Sequence, residues 1–437
     1  MSDRKIFVGY VAREEGDGAL DLVISAEGKV KEARYKIWEA PRFFESFLVG
    51  RKYDEVPELV QRICGICPHP HNLAAVQAVE RAMGIEVSEQ TRLLRRLLLV
   101  GDWISSHALH VFFLAAPDYL GYESVISMAG NPELLPVVQK ALQFKRLGND
   151  MSVVLTGHEI QNRTSVVGGF TAVPDAADLK KIRERLLGIK EFALEATQLT
   201  KDLFSAAPYP ELVRKCEHVA LHSPKEYAVE AGRLVSTEGL DIPDWEYPEW
   251  LIERHVPGSN AKHAIIRGRD SFLVGPLARV NLNFDQLSAD ARAVAAQVGF
   301  VAPSFNPYMS IVARCIELVH AIDEAVQIID QLGNPKYEEP KYTIRAGEGY
   351  AVTEAPRGIC CHGGRIDKDG VVQQWDIVAP TARNVYNIEK DLNEFVPKLL
   401  DLSDEELALK CEMLIRSYDP CLSCSVHSIK VRVHREQ

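Results

Sequence analysis

The sequence predicts an α+β fold that is mainly helical, with a central helix bundle and small peripheral sheets or hairpins. Apolar residues recur with helical spacing through long stretches in the middle of the chain, whereas apolar and polar residues alternate near both ends. The chain has 437 residues, 46% of them hydrophobic, which is enough to bury a substantial core. We therefore expect one domain spanning residues 1–437.

The first part of the chain combines a small sheet with a helical core. Residues 1–40 alternate around the turn 26–29, which predicts a hairpin or small sheet. Residues 41–205 follow as a helical core. Its most apolar stretch, residues 93–120, is interrupted by charged side chains, so we predict a buried helix and no membrane span.

The second part of the chain is more varied. Residues 206–280 are rich in proline, tryptophan, tyrosine and charge, and we interpret them as an irregular excursion with short strands. Residues 281–427 return to helices, interrupted by a β hairpin. The individual predictions are helices at 136–151, 175–203, 285–298, 306–332, 388–399 and 403–416, and strands within 348–379 around the turn 367–370.

Composition excludes several functional classes. Fifty basic and 61 acidic residues give a net charge of −11, which does not favour binding to nucleic acid or an anionic membrane. Nine cysteines form no even framework, which disfavours a disulfide-stapled secreted protein. The amino terminus has no apolar signal region. We expect a cytoplasmic location.

Two Cys-x-x-Cys pairs, each followed by a histidine, are the strongest chemical signal. They are Cys64-Gly-Ile-Cys67 and Cys421-Leu-Ser-Cys424. Two intervening residues let both sulfurs of a pair face one ion, and thiolates suit zinc, nickel or iron. A single pair could equally be a redox dithiol, half of a zinc site or two buried apolar residues. The pairs are too far apart for a zinc ribbon, which favours one buried centre assembled from both ends of the chain.

These motifs resemble the signatures of nickel–iron hydrogenase large subunits. Both family signatures, Arg-x-Cys-Gly-x-Cys-x-x-x-His and Asp-Pro-Cys-x-x-Cys-x-x-His, are complete here. Further agreement runs along the chain in the segments Arg13-Glu-Glu15-Gly16, Pro41-Arg-Phe-Phe-Glu45, Gly168-Gly169-Phe170, Glu354-Ala-Pro-Arg357-Gly358 and Ala379-Pro-Thr381.

The resemblance implies a nickel–iron centre that splits dihydrogen heterolytically. Cys64 and Cys421 would be terminal ligands of nickel, and Cys67 and Cys424 would bridge to an iron carrying carbon monoxide and cyanide. Ala355, Pro356 and Thr381 would surround the cyanide ligands.

The resemblance also implies roles for the surrounding side chains. Glu15 would take the proton from Cys421, and His71 would hydrogen-bond a bridging sulfur. Arg357 would lie over the open metal face, oriented by Asp419; we expect an electrostatic role because arginine stays protonated.

A second, carboxy-terminal metal site is implied by the same family. Its ligands would be Glu45, His427 and the backbone carbonyl of Ile377. Oxygen ligands suit magnesium, whereas the histidine also allows iron.

One position departs from the family pattern. Many relatives carry an acidic residue where this chain has Ser106, immediately before His107. We interpret His107 and His110 as core histidines with satisfied hydrogen bonds. The remaining cysteines lack ligand spacing and are predicted to be buried apolar residues: Cys216, Cys315, Cys360, Cys361 and Cys411.

The cysteines left after the ligand assignments form no cluster with the spacing of an iron–sulfur site, so we expect an obligate iron–sulfur small subunit. Flavin-containing (diaphorase) or other electron-transfer subunits would follow. The acceptor stays open among NAD(P), coenzyme F420, ferredoxin and a disulfide reductase, as in cytoplasmic multimeric enzymes. Residues 428–437 would be a tail removed by a maturation protease. Two alternatives stay open: a non-hydrogenase homologue resembling the quinone-site subunit of complex I, and a zinc-stapled scaffold.

Overall fold

A computed structural model describes residues 3–206 and 212–426, except for the side chains of 201–206. Helices predominate and the strands form five small sheets within these residues, which confirms the predicted α+β class. His427 and the predicted tail 428–437 lie outside the described residues.

The described residues form fifteen α-helices. They are α1 Phe44–Leu48, α2 Glu55–Val60, α3 Pro68–Met83, α4 Glu89–Ala108, α5 Ala116–Leu120, α6 Val125–Ala129, α7 Leu135–Thr156, α8 Ala176–Ala206, α9 Tyr247–Trp250, α10 Pro276–Asn283, α11 Ala289–Gln297, α12 Met309–Leu332, α13 Pro380–Phe395, α14 Asp404–Tyr418 and α15 Leu422–Ser425.

The strands are short and mostly antiparallel. They are β1 Arg4–Val8, β2 Gly18–Ile24, β3 Val30–Ile37, β4 Ser165–Val166, β5 Gly169–Phe170, β6 Glu217–His222, β7 Arg233–Ser236, β8 Asp241–Pro243, β9 Leu251–Arg254, β10 His263–Ile266, β11 Phe272–Leu273, β12 Gly347–Ala355, β13 Gly358–Ile366 and β14 Val372–Val378. The sheet orders are β1-β2-β3, β4-β5, β11-β6-β7-β8, β10-β9 and β12-β13-β14. The predicted irregular excursion therefore contains two small sheets.

Helices α4, α7, α8 and α12 pack together as the central bundle. Helix α4 begins after Ser88, whose hydroxyl accepts a hydrogen bond from the backbone N–H of Thr91 at 3.1 Å. The stretch Glu89–Leu120, which includes a π-helical segment at Leu109–Ala115, is long and apolar enough to cross a membrane. Yet 83% of its most apolar window is buried inside the protein, as in the core helix that the sequence predicts.

Helix α13 begins eight residues earlier than predicted. It starts with Pro380, a residue that favours the first turn of a helix. Its first two turns bury Arg383, Asn384 and Asn387 beside apolar residues such as Val385, so the buried face is mixed. Polar residues on the inward face weaken the hydrophobic periodicity from which the start of a helix is predicted.

Helix α3 lies directly on the sheet β12-β13-β14, and glycines permit this close approach. A Cβ atom added at Gly349 would collide with the carbonyl oxygen of Ala78, and one added at Gly347 would collide with that of Ala82. The helix that follows the first cysteine pair is thereby held against the strand leading to Arg357.

We expect Gly349→Ala to destabilise the fold by about 1–3 kcal/mol, because the helix and sheet must move apart. Gly188→Ala is the matched control: the added Cβ meets no heavy atom within 4 Å on α8, and helix propensity favours alanine by up to about 1 kcal/mol. Chemical denaturation of both variants measures the difference. Equal stability of Gly349→Ala and the parent chain would contradict the packing argument.

Candidate metal centre

The sulfurs of the four motif cysteines lie together in the interior. The Sγ of Cys64 is 3.0 Å from that of Cys67 and 3.4 Å from that of Cys421. The Sγ of Cys424 is 2.8 Å from that of Cys421 and 3.6 Å from that of Cys67. All four thiols are buried and free of disulfides, and their sulfurs fall within 4.8 Å of one another.

The local backbone structure directs the sulfurs of each cysteine pair into the interior. Cys64 follows a short 3-10 turn, and its sulfur accepts hydrogen bonds at 3.3 Å from the backbone N–H groups of Ile66 and Cys67. Cys421 precedes the single-turn helix α15, and its backbone N–H donates to the hydroxyl of Thr381 at 2.9 Å. Both turns leave the sulfurs at the point where the two chain segments meet.

Arg42 ties the two cysteine segments to each other. Its Nη2 donates to the carbonyl oxygen of Ile63 at 2.5 Å and to that of Ser423 at 2.7 Å. Its backbone N–H also donates to the carbonyl of Val426 at 3.2 Å. One guanidinium therefore bridges the residue before the first pair and a residue inside the second.

The four clustered thiols differ in the direction of their pKa shifts. Hydrogen bonds from Cys421, Cys424 and Cys67 hold the pKa of Cys64 well below its usual value, and Arg357 adds to this. Burial raises the pKa of Cys421 and of Cys424. Four clustered soft sulfurs, one already favoured as thiolate, fit a nickel or iron site.

Glu15 contacts the second cysteine pair through both its backbone and its carboxyl group. The thiol of Cys421 donates to Oε2 at 3.1 Å, as does the backbone N–H of Ser423 at 3.1 Å, and the hydroxyl of Ser423 donates to Oε1. The backbone N–H of Leu422 donates to the Glu15 carbonyl at 2.8 Å. Burial, followed by the charge of Cys64, raises the pKa of Glu15 above its usual range.

Arg357 is clamped by Asp419. Its Nη2 donates to Oδ1 of Asp419 at 2.9 Å, and its Nε donates to the Asp419 carbonyl at 2.9 Å. Burial acts to lower the pKa of Arg357, but Asp419 and the cysteines outweigh it, so the pKa lies well above its usual value. Nη1 of the same guanidinium donates to the hydroxyl of Ser106 at 3.5 Å.

A buried charge network behind Arg357 was missed by sequence reasoning. The guanidinium of Arg279 binds both carboxylate oxygens of Glu317 at 2.7 Å and one oxygen of Glu354 at 3.0 Å. It also donates to the carbonyls of Ala355 at 2.8 Å and Pro356 at 3.1 Å. These contacts hold the loop that leads into Arg357. Glu354 belongs to the family segment that contains Arg357, but Arg279 and Glu317 lie within helices α10 and α12 and no motif marks them.

The two histidines after Ser106 are buried core residues, as expected, but only one ring nitrogen of each has a hydrogen-bond partner among the described residues. His107 Nε2 lies 2.8 Å from Glu317, and His110 Nε2 donates to the carbonyl of Arg416 at 2.7 Å. Burial lowers the pKa of His107 to about 4 and that of His110 to about 3, so both are neutral.

His71 is buried beside two residues that were not predicted as partners. Its Nδ1 lies 2.9 Å from Nε2 of His362 and 3.5 Å from the sulfur of Cys360. The other four cysteines outside the motifs are buried and free, as expected. The sequence contained one signal that Cys360 and His362 lie near each other: side chains alternate along a strand, so residues 360 and 362 of β13 lie on the same face.

Two of the three residues predicted to bind the second metal are in contact. The backbone N–H of Ile377 donates to Oε1 of Glu45 at 3.1 Å, which brings two predicted ligands of the second site together. The third, His427, lies outside the described residues.

A family model described as nickel-dependent hydrogenase matches residues 42–133 and 268–427, which include both cysteine pairs. The chain belongs to the nickel-dependent hydrogenase family. It is 33% identical over 430 residues to the alpha chain of sulfhydrogenase 1 of Pyrococcus furiosus, covering 98% of both chains. It is 29% identical to a chain of the F420-non-reducing hydrogenase vhu of Methanocaldococcus jannaschii, covering 89% of this chain and 98% of that one.

The structure also resembles a solved NAD+-reducing [NiFe]-hydrogenase in the H2-reduced state. The TM-score is 0.89 at 26% identity, over 98% of this chain and 100% of the other. The chain is thus the catalytic large subunit of a nickel–iron hydrogenase, and its four clustered cysteines fit the nickel–iron centre. Large subunits of this family pair with an iron–sulfur small subunit.

We expect Arg279→Met to destabilise the hydrogenase subunit by about 3–5 kcal/mol, because Glu317 and Glu354 would be left as buried, uncompensated acids. Thermal or chemical unfolding measures the loss. Adding Glu317→Gln should recover part of it by removing one orphaned charge. Arg183→Met, which breaks an exposed ion pair with Asp330, is the matched control and should leave stability unchanged. Equal effects of the two arginine variants would refute the network's structural role.

Proposed function

We propose that this subunit catalyses reversible heterolytic cleavage of dihydrogen, with Glu15 receiving the proton. The observation that carries the proposal is the cluster of four sulfurs with a carboxylate oxygen 3.1 Å from one of them, the Sγ of Cys421. When bound, the nickel–iron pair supplies a redox-active Lewis acid that polarises dihydrogen. The protein supplies the ligands, the proton acceptor and a dry interior.

Each cysteine receives a role from its motif position. Cys64 and Cys421 would bind nickel terminally, while Cys67 and Cys424 would bridge to an iron with carbon monoxide and cyanide ligands. The contact of Glu15 with Cys421 supports this assignment, since a terminal thiolate can take up a proton without losing a bridge. Ala355, Pro356 and Thr381 would line the pocket of the diatomic ligands.

The surroundings of Glu15 suit proton transfer. Because its pKa is raised, the Glu15 carboxyl group holds a proton at a pH closer to neutral than an ordinary glutamate does. Two hydrogen bonds from Ser423 hold the carboxyl group in place. Arg357 stays protonated because its guanidinium forms an ion pair with Asp419, so its proposed role is electrostatic. His71 would donate a hydrogen bond to a bridging sulfur.

We further propose that Glu45, the carbonyl of Ile377 and His427 bind magnesium or iron. The hydrogen bond from the backbone N–H of Ile377 to Glu45 supports this site, because it brings the Glu45 carboxylate to the backbone of the residue whose carbonyl is the second proposed ligand. A maturation protease would remove residues 428–437 after nickel loading.

Electrons would leave through the iron–sulfur small subunit, docked near Arg42. Phe43 and Phe47 are 43% and 37% exposed, directly beside the arginine that bridges both cysteine segments. Exposed aromatic rings favour a protein interface, and this one would be close to the metals. We further propose a cytoplasmic location and flavin-containing or similar acceptor subunits; the resemblance to a solved NAD+-reducing [NiFe]-hydrogenase supports transfer of the electrons to a soluble acceptor.

The metal assignment predicts about one nickel per chain and infrared bands from carbon monoxide and cyanide in the complex purified with its native partners. Cys424→Ala should abolish both, because a bridging ligand is lost. Cys411→Ala replaces an equally buried cysteine on α14 and should retain both. One zinc and no diatomic bands would exclude the hydrogen-activating assignment in favour of a zinc scaffold.

Glu15→Gln should spare metal loading but lower hydrogen–deuterium exchange by about 10²-fold or more, because the amide cannot accept the proton. Glu14→Gln is the neighbouring control: Glu14 is buried too, but its carboxylate accepts from the hydroxyl of Tyr35 at 2.6 Å. Exchange rates measured by mass spectrometry of the gas phase separate the two. Parent-like exchange in Glu15→Gln would refute the relay.

A further inference from the structure

Three aromatic side chains behind the metal centre form a line of ring nitrogens. The indole Nε1–H of Trp375 donates to Nδ1 of His362 at 3.4 Å, and Nε2 of His362 lies 2.9 Å from Nδ1 of His71. Both histidines are fully buried and Trp375 is nearly so. The two imidazole rings meet edge to face, with an interplanar angle of 89°.

The fold fixes this line through the sheet below α3. His362 lies on β13 and Trp375 on β14, where His362 pairs with Ile377 and Gly364 pairs with Trp375. His71 comes from α3, which the side-chain-free Gly349 brings close to the sheet. The contacts therefore depend on rigid elements and not on a loop.

The direction of the hydrogen bonds follows from the donors available. An indole nitrogen can only donate, so Nδ1 of His362 must accept and its single proton sits on Nε2. That N–H then donates to Nδ1 of His71, which leaves the proton of neutral His71 on Nε2. The opposite tautomers would point two N–H groups at each other between Trp375 and His362.

Cys360 supports the same assignment. Burial raises the pKa of its thiol well above the usual value, so the sulfur keeps its proton and can donate to Nδ1 of His71 at 3.5 Å. His71 lies on α3 four residues after Cys67, which puts this corner beside the first cysteine pair. Nδ1 of His71 is an acceptor in either contact, and its single lone pair favours the shorter one, from His362 at 2.9 Å.

We propose that Trp375 and His362 are positioning residues that lock His71 in its Nε2–H tautomer, so that His71 donates a hydrogen bond to a cysteine sulfur of the metal centre. The proposal rests on the proposed function insofar as that sulfur is a metal ligand. A hydrogen bond to a thiolate weakens its donation to the metal and favours the reduced state. Losing the lock therefore lowers the midpoint potential of the nickel centre.

The tautomer itself is measured on the metal-free full-length chain labelled with ¹⁵N-histidine. Ring ¹⁵N shifts distinguish the two neutral forms, and His71→Gln assigns the signal. We expect Nε2–H for His71 and His362 in the parent chain, and a mixture in Trp375→Phe, which keeps an aromatic ring but no donor. Trp245→Phe, at a half-exposed tryptophan, is the control and should match the parent. A parent His71 carrying its proton on Nδ1 overturns the proposal, as does an unchanged tautomer in Trp375→Phe.

The consequence is measured in the nickel-loaded complex by redox titration monitored by electron paramagnetic resonance. Trp375→Phe and His362→Leu should shift the nickel midpoint potential downward. His362→Gln should rescue it, because the amide group can accept from Trp375 and donate to His71. Unchanged potentials in Trp375→Phe and His362→Leu overturn the proposal. A parent complex without nickel would contradict the proposed function alone, because the tautomer measurement needs no metal.

Discussion

A single guanidinium holds together the two segments on which the metal centre depends. Arg42 donates to Ile63 just before the first cysteine pair and to Ser423 inside the second. Glu15 adds a backbone contact with Leu422 and a carboxylate contact with Cys421. These hydrogen bonds are buried or half-buried, so each lost partner would leave an unsatisfied polar group in the interior. Residues outside the proposed ligand set therefore help to fix the geometry of the sulfurs.

Much of the metal centre could be predicted because its cysteines and several neighbouring residues belong to local sequence motifs. The spacing of two residues within each pair indicates shared ligation, and the segments around Glu15, Arg357 and Asp419 each carry a recognisable pattern. The α+β class followed from two different hydrophobic periods along one chain. Such signals lie within a few neighbouring residues, so a single sequence contains them.

The rest depends on contacts between distant residues, which a single sequence does not contain. Arg279 looks like an ordinary helical arginine, yet it joins Glu317 and Glu354 in a fully buried network. Cys360 was interpreted as a buried apolar residue because its spacing is not that of a ligand, but the sheet places it against His71. The start of α13 was missed because Arg383 and Asn384 on its inward face are polar. In each case tertiary partners, not local pattern, decide the role.

The separation of the cysteine pairs has a consequence for biosynthesis. Each cysteine of the first pair stands 357 positions before its counterpart in the second. At ribosomal rates of roughly 5–20 residues per second, Cys64 and Cys67 emerge roughly 20–70 s before the other two sulfurs are made. During that interval the nascent chain carries two exposed thiols with no complete ligand set. A cell making this protein must therefore shield them from oxidation and from stray zinc or copper until translation passes Cys424.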